Sequence, residues 1–276
     1  MSVDAVSAVA TKELRDALRN RWFLMDAGAF VLLSFGLSYL GLAGGGLAGL
    51  AGFGRTSAAL ISLVLLIVPL MGLSVGALSL TGERERGTLA TLLAQPITRK
   101  ELFAGKWCGL AAALAAALAV GFGLPGLIIA AAGGGGQAGP YLALAGLAFL
   151  LALAGLAVGM LLSAFVQRTA AAVGLAVGLW LVFVFVGDLG LLGAGLAMQL
   201  QAGQLLTLAL VNPLTDFRVA AILAAGASPE TLGPAGLLLS RTLGGWNLPV
   251  LVGLLALWSS LPLVAGYWIF AREDAV

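Results

Sequence analysis

Six apolar runs dominate the chain, at residues 22–46, 57–80, 107–132, 141–165, 170–195 and 248–270. At 1.5 Å rise per residue each is longer than the roughly 30 Å hydrocarbon core of a bilayer. The pattern therefore predicts an all-α integral membrane protein with six transmembrane helices, forming a single membrane domain over residues 1–276. Ahead of the first run, residues 11–22 place Leu14, Leu18 and Trp22 at every fourth position among Lys12, Glu13, Arg15, Asp16 and Arg19. That spacing predicts an interfacial helix in the headgroup region, its aromatic at the boundary and its basic residues toward anionic lipid. Residues 196–247 are apolar only in stretches too short to cross, so short helices at the outer surface are expected there.

The one long polar interruption is residues 82–106, GERERGTLATLLAQPITRKELFAGK, between the second and third runs. It must lie in water on one side of the membrane. From Thr88 to Ala94 good helix formers carry Leu89, Leu92 and Leu93 at helical spacing, and Pro96 ends the run by removing a donor and restricting Gln95. Thr98 followed by Glu101 has the form of a capping box, which starts a second helix leading through Lys106 into the third run. The result is a helical elbow with a leucine-bearing knob, flanked by Glu83, Arg84, Glu85 and Arg86 on one side and Arg99 and Lys100 on the other. Two readings fit it: a docking knob for a soluble partner, or a solvated loop whose basic residues anchor it to lipid headgroups.

Composition agrees with a membrane protein: 61% of the 276 residues are hydrophobic and 9% charged, against about 25% charged in an ordinary soluble domain. With no histidine and one cysteine, Cys108, a disulfide within the chain and a histidine-based metal site are both ruled out. Nucleic acid is not an expected partner, because the small net positive charge is gathered on one side of the membrane. Residues 1–20 do not read as a signal peptide. No general base, nucleotide-binding loop or intramembrane carboxylate pair stands out, so no catalytic residues are expected and energy for work must come from elsewhere. Asp188 is an acid within an apolar run and thus a candidate intramembrane site, although its depth also suits the outer interface.

Orientation follows from the basic residues. With the amino terminus in the cytoplasm, six spans return the carboxyl terminus to the same side. Eleven of the fourteen Lys and Arg residues then lie inside, leaving Arg55, Arg218 and Arg241 outside. This asymmetry is that of a bacterial or archaeal cytoplasmic-membrane protein with both termini and the elbow inside.

The leading helix, six spans, and an elbow reading Glu85, Gly87-Thr88-Leu89, Leu92-Leu93, Pro96, Arg99 and Gly105-Lys106 resemble the type-2 ABC transporter permeases. The resemblance implies that the elbow carries a coupling helix seated in a separate cytoplasmic ATPase subunit, which binds ATP and Mg. Two copies of the permease then work with two ATPases. Three segments, at residues 12–22, 87–89 and 212–218, are more narrowly similar to the permease of the nitrous oxide reductase maturation system. There the partner outside is a periplasmic protein of repetitive β-fold, and the system serves copper-site assembly. This implies that Asn212, Pro213, Asp216, Phe217 and Arg218 face that partner. Read from the residues alone, the same segment is a capped external helix, started by Asn212 and Pro213 and supported by Asp216 in its first turn. Copper prefers thiolate, thioether and imidazole, and Met25, Met71, Met160 and Met198 are scattered, so no metal or other cofactor is expected on this chain. A passive assembly scaffold, a generic exporter of a small molecule or lipid, and a proton-coupled carrier using Asp188 are the competing readings.

Overall fold

The computed structural model describes residues 2–43, 51–131, 138–185, 210–226 and 244–272. These form α1 (Val3–Arg19), α2 (Arg21–Ala43), α3 (Ala51–Glu85), α4 (Thr88–Leu93), α5 (Arg99–Ala131), α6 (Ala138–Phe165), α7 (Thr169–Phe185), α8 (Pro213–Ala224) and α9 (Asn247–Arg272). A 3-10 turn, Gly244–Trp246, leads into α9. Among the described residues there is no strand.

Among the described residues five stretches are long and apolar enough to cross a membrane: Arg21–Leu40, Ala59–Glu85, Arg99–Ile128, Ala138–Phe165 and Gly244–Arg272. The run expected at residues 170–195 begins as the shorter apolar helix Thr169–Phe185, and its remainder, with Asp188, lies outside the described residues. Large apolar side chains such as Leu32, Leu40, Val182, Leu261 and Trp268 are exposed. On a membrane protein that surface meets acyl chains rather than water.

α3 and α6 are the most enclosed of these spans, and their mutual packing is the most extensive in the fold. Glycine at every fourth residue on both helices allows it, since small residues let backbones approach closely. A Cβ on Gly76 would sit 2.6 Å from the Leu156 carbonyl oxygen, and one on Gly155 would sit 2.8 Å from that of Pro69. Cβ atoms on Gly72 and Gly159 would press on the carbonyls of Ala152 and Leu73. Around this seam α9 packs on α6, α7 on α3, α1 and α2 on α5, and α8 on α9 and α6.

Two boundaries differ from the sequence expectation. The leading helix is Val3–Arg19 rather than residues 11–22, and Trp22 belongs to α2. Asn20 breaks the chain between them: it is extended (ψ 120), and its Oδ1 accepts the Trp22 N–H at 3.0 Å. The face of α1 turned into the protein is Val9, Glu13 and Ala17, whereas Leu18 and Trp22 are exposed. At the elbow α3 persists to Glu85, past the run that ended at residue 80, while α5 begins at Arg99, where the capping box predicts a helix start.

Candidate functional site

The elbow is built from local signals. Gly87 stops α3 with φ of +69 and serves as the cap of α4, and its N–H donates to Arg84 O at 3.0 Å. A side chain at a left-handed position costs about 1–2 kcal/mol. Gly87→Ala is accordingly expected to destabilise the protein by about 1–2 kcal/mol and to raise proteolytic cleavage at the elbow, read by limited proteolysis. At the other end, Thr98 N–H donates to Glu101 Oε2 at 2.9 Å and Glu101 N–H to Thr98 Oγ1 at 3.3 Å. These are the two reciprocal bonds of a capping box.

Of the six charges assigned to docking, Glu83 is buried, Arg84 and Arg99 are half-buried, and Glu85, Arg86 and Lys100 are exposed; Glu83 is paired with Lys106, which was not among them. Glu83 is 3% exposed and Lys106 0%. Lys106 Nζ donates to Glu13 Oε1 at 2.8 Å, Glu83 Oε1 at 2.8 Å and Ser79 O at 3.0 Å. Lys12 Nζ bridges the same two carboxylates at 2.7 Å to Glu83 and 2.9 Å to Glu13. Two cations and two anions thus join α1, α3 and α5. Burial alone would lower the Lys12 amine, but its bonds to Glu83 and Glu13 prevail and raise it above its ordinary value. Burial likewise works against the Glu13 carboxylate, yet Lys106 and then Lys12 hold it below the usual range.

Three further elbow charges cap neighbouring helices, whose terminal backbone groups lack partners of their own. Arg84 Nη1 donates to Ser163 O at 2.7 Å and Val166 O at 3.0 Å, at the end of α6. Glu85 Oε1 accepts the Thr169 N–H at 2.8 Å, at the start of α7. Arg99 Nη1 donates to Phe270 O at 3.1 Å and Ala271 O at 3.2 Å, at the end of α9.

Besides Glu85, which stays exposed, the surface of the elbow is made of other residues. Leu89 and Leu92 are half-buried against the core and seat α4 on the bundle, so the knob they were expected to form points inward. Leu93 is the last residue of α4. Thr88, Ala90, Thr91 and Ala94 face outward, with Arg86, Gly87, Pro96 and Lys100 exposed at the margins. Arg86 is steadied by donating to Gly82 O at 2.8 Å.

At the opposite end Asn212 caps α8: its Oδ1 accepts the Leu214 N–H at 3.0 Å while its Nδ2 donates to Phe183 O at 2.6 Å. Pro213 occupies the first turn, as the residues-only reading has it. Asn212, Pro213, Asp216 and Phe217 are buried and Arg218 half-buried, so this group packs the interior more than it presents a surface. Asp216 is 0% exposed and, among the described residues, neither carboxyl oxygen has a hydrogen-bond partner.

Burial pushes the Asp216 carboxyl up to about 8. The folded chain then keeps a proton that the unfolded chain releases near pH 4. Stability from this group is full below about pH 4, declines as pH rises and is lost above about 8. Asp216→Asn is expected to flatten that decline, read as Tm across a pH series, and an equal decline in the variant would assign it to other groups.

Sequence reasoning placed Glu13 among the headgroup-facing residues and overlooked its pairing with Lys106. A signal was present: Lys106 lies between Gly105 and Gly109, four residues apart. A Cβ on Gly105 would meet Val9 Cβ at 2.6 Å, and one on Gly109 would meet Glu13 Cβ at 2.7 Å. A lysine flanked by glycines at that spacing marks where another helix lies against α5.

A family model described as "ABC-2 family transporter protein" matches residues 7–275. The protein named "Probable ABC transporter permease protein NosY" from Stutzerimonas stutzeri is 34% identical over 278 residues, covering 96% of this chain and 97% of the relative. Its namesake from Pseudomonas aeruginosa is 35% identical, covering 97% and 98%. Matches that run almost end to end, over a helical bundle with several helices long and apolar enough to cross a membrane and a capped polar elbow, lead to one conclusion: the chain belongs to the ABC-2 transporter family, as a multi-pass inner-membrane permease.

Proposed function

We propose that this permease takes up the motion of a cytoplasmic ABC ATPase, the partner its family implies, through the outward face of α4, and that it does so in nitrous oxide reductase maturation. The observation that carries the docking reading is the build of α4. Its leucines seat it on the bundle, Gly87 and the Thr98–Glu101 box hold its ends, and its outer face of Thr88, Ala90, Thr91 and Ala94 is small enough to enter a cleft. Arg86 and Lys100 at the margins supply charge to steer a partner. ATP and Mg belong to the ATPase, and this chain transmits force without a catalytic step of its own. The proposed topology takes the apolar helix Thr169–Phe185 as part of a sixth span and puts both termini and the elbow in the cytoplasm. Two copies make the working unit.

The maturation reading rests on the NosY relatives. Outside the membrane, the surface of the 212–218 segment offered to a periplasmic β-repeat protein is Val211, Thr215 and Arg218, the buried residues holding it in shape. Copper is handled elsewhere in the system, since this chain offers few soft ligands.

Gentle purification from native membranes, with mass spectrometry of what accompanies the permease, tests both levels. An ATPase together with a periplasmic β-repeat protein is the expected result. The ATPase alone would reduce the reading to a generic exporter. Thr91→Arg or Ala94→Arg, both at exposed positions, is expected to cut ATPase recovery at least tenfold while the permease stays folded. Undiminished recovery from both variants would remove α4 as the docking element.

A further inference from the structure

We infer that Lys106 is a positioning residue: with Glu13, Glu83 and Lys12 it locks α1 to the base of the elbow, so that α1 is carried along when the ATPase drives the elbow. The inference rests on the docking reading above and goes beyond it, because an amphipathic leading helix is otherwise expected to float as a headgroup anchor.

The geometry favours the rigid joint. α1 lies on α5 where Gly105 and Gly109 leave no room for side chains. Glu13, 6% exposed, stands at the centre of that contact. All three donors of Lys106 are taken, by α1 through Glu13, by the Glu83 carboxylate and by the Ser79 carbonyl, the last two on α3. Lys12 completes the balance of charge from the α1 side. Farther out, Glu101 at the start of α5 accepts the Ser2 N–H ahead of α1. Separating α1 from α5 would strand buried charges in a low dielectric, a heavy cost. The outer face of α1, with Thr11, Arg15 and Arg19, meets headgroups and water, where ionic contacts are weak and screened by salt. Under load the outer contacts yield before the inner joint does.

The test uses the complete permease–ATPase complex in nanodiscs and distances between spin labels on the two permease copies. Cys108, exposed and the only cysteine in the chain, reports α5 without any substitution. Arg15→Cys in a Cys108→Ser background reports α1. Trapping the ATPase with ADP and vanadate is expected to shift both distances together. In Lys106→Met the Cys108 distance should still shift while the α1 shift falls to less than half. If that variant does not fold, Glu13→Gln/Lys106→Met, which removes one charge of each sign, is expected to show the same loss of concerted motion. An α1 distance that stays fixed in the unaltered joint while the Cys108 distance shifts would overturn the inference and leave the docking reading standing. Two fixed distances under confirmed trapping would remove the docking reading, and the inference with it.

Discussion

Replacing Lys106 with methionine is expected to lower the unfolding free energy by about 3–5 kcal/mol, the usual cost of deleting one partner from a buried ion pair. Methionine keeps most of the volume, so the loss measures charge more than packing. Glu13 and Glu83 would be left with Lys12, and among the described residues Glu83 Oε2 already has no hydrogen-bond partner in the parent. The deficit should depend on pH in a defined sense. In the parent, the depressed Glu13 carboxyl contributes stability that is present above its unfolded value of about 4 and lost only as pH falls through the lower folded value. Without Lys106 that carboxyl loses its main cation and burial drives it upward. The variant therefore regains stability relative to the parent as pH falls from neutrality toward about 4. Thermal unfolding of the purified permease at pH 7.5 and pH 5 reads both effects, and a deficit that does not change with pH would show that lost packing, not stranded charge, accounts for it.

Gly76→Ala is expected to cost about 2–3 kcal/mol, as a methyl forced into a filled seam. The added carbon would lie 2.6 Å from the Leu156 carbonyl oxygen and 2.8 Å from the Met160 nitrogen. Both are backbone atoms of α6 and cannot turn aside as a side chain can, so the two central helices must separate. Gly159→Ala presses on α3 from the other side and is expected to act in the same direction. Gly178→Ala, on α7 with open space around it, is the internal control. There alanine's better helix propensity is worth up to about 1 kcal/mol in favour of the variant. Unfolding curves in one detergent compare the three, and a Gly76→Ala protein as stable as Gly178→Ala would mean that the seam is looser than the structure has it.

Family membership implies a cytoplasmic ATPase partner, and permease subunits of such transporters are typically non-catalytic. Charged groups that brace the base, Glu83, Arg84, Glu85 and Arg99, are used up on α1, α5, α6, α7 and α9, while α4 presents a face of small residues. On the proposed docking, a stroke delivered to α4 would enter a base connected to five helices.

What could be read from the chain was local. Helices announce themselves by long apolar runs, so five of the six expected spans coincide with helices long and apolar enough to cross a membrane, with bounds that differ by up to eight residues. Caps act over two or three residues, so Thr98 with Glu101 and Asn212 with Pro213 were visible before any coordinates. The polar elbow was found for the same reason, since hydropathy changes abruptly at its edges. The direction each group points was a different matter. Leu89 and Leu92 sit at a spacing that suits an exposed knob and a seated anchor equally well, and only the presence of the bundle beneath them decides.

Thus hydropathy, period and capping in the sequence alone determined a helical membrane protein, its spans and the place of its elbow, because each depends on neighbours a few residues away. Tertiary structure alone decided which faces meet and which charges pair. Glu13 finds Lys106 across 93 positions, Glu83 finds Lys12 across 71 and Arg99 finds Phe270 across 171. In spans apolar on every side no polar stripe marks the inward face, and among 40 glycines four-residue spacing without a flanking charge does not single out the few that touch another backbone, since Gly174 and Gly178 share it and stand in open space. Close packing selects those, and the ion pairs form only where it brings opposite charges together out of water.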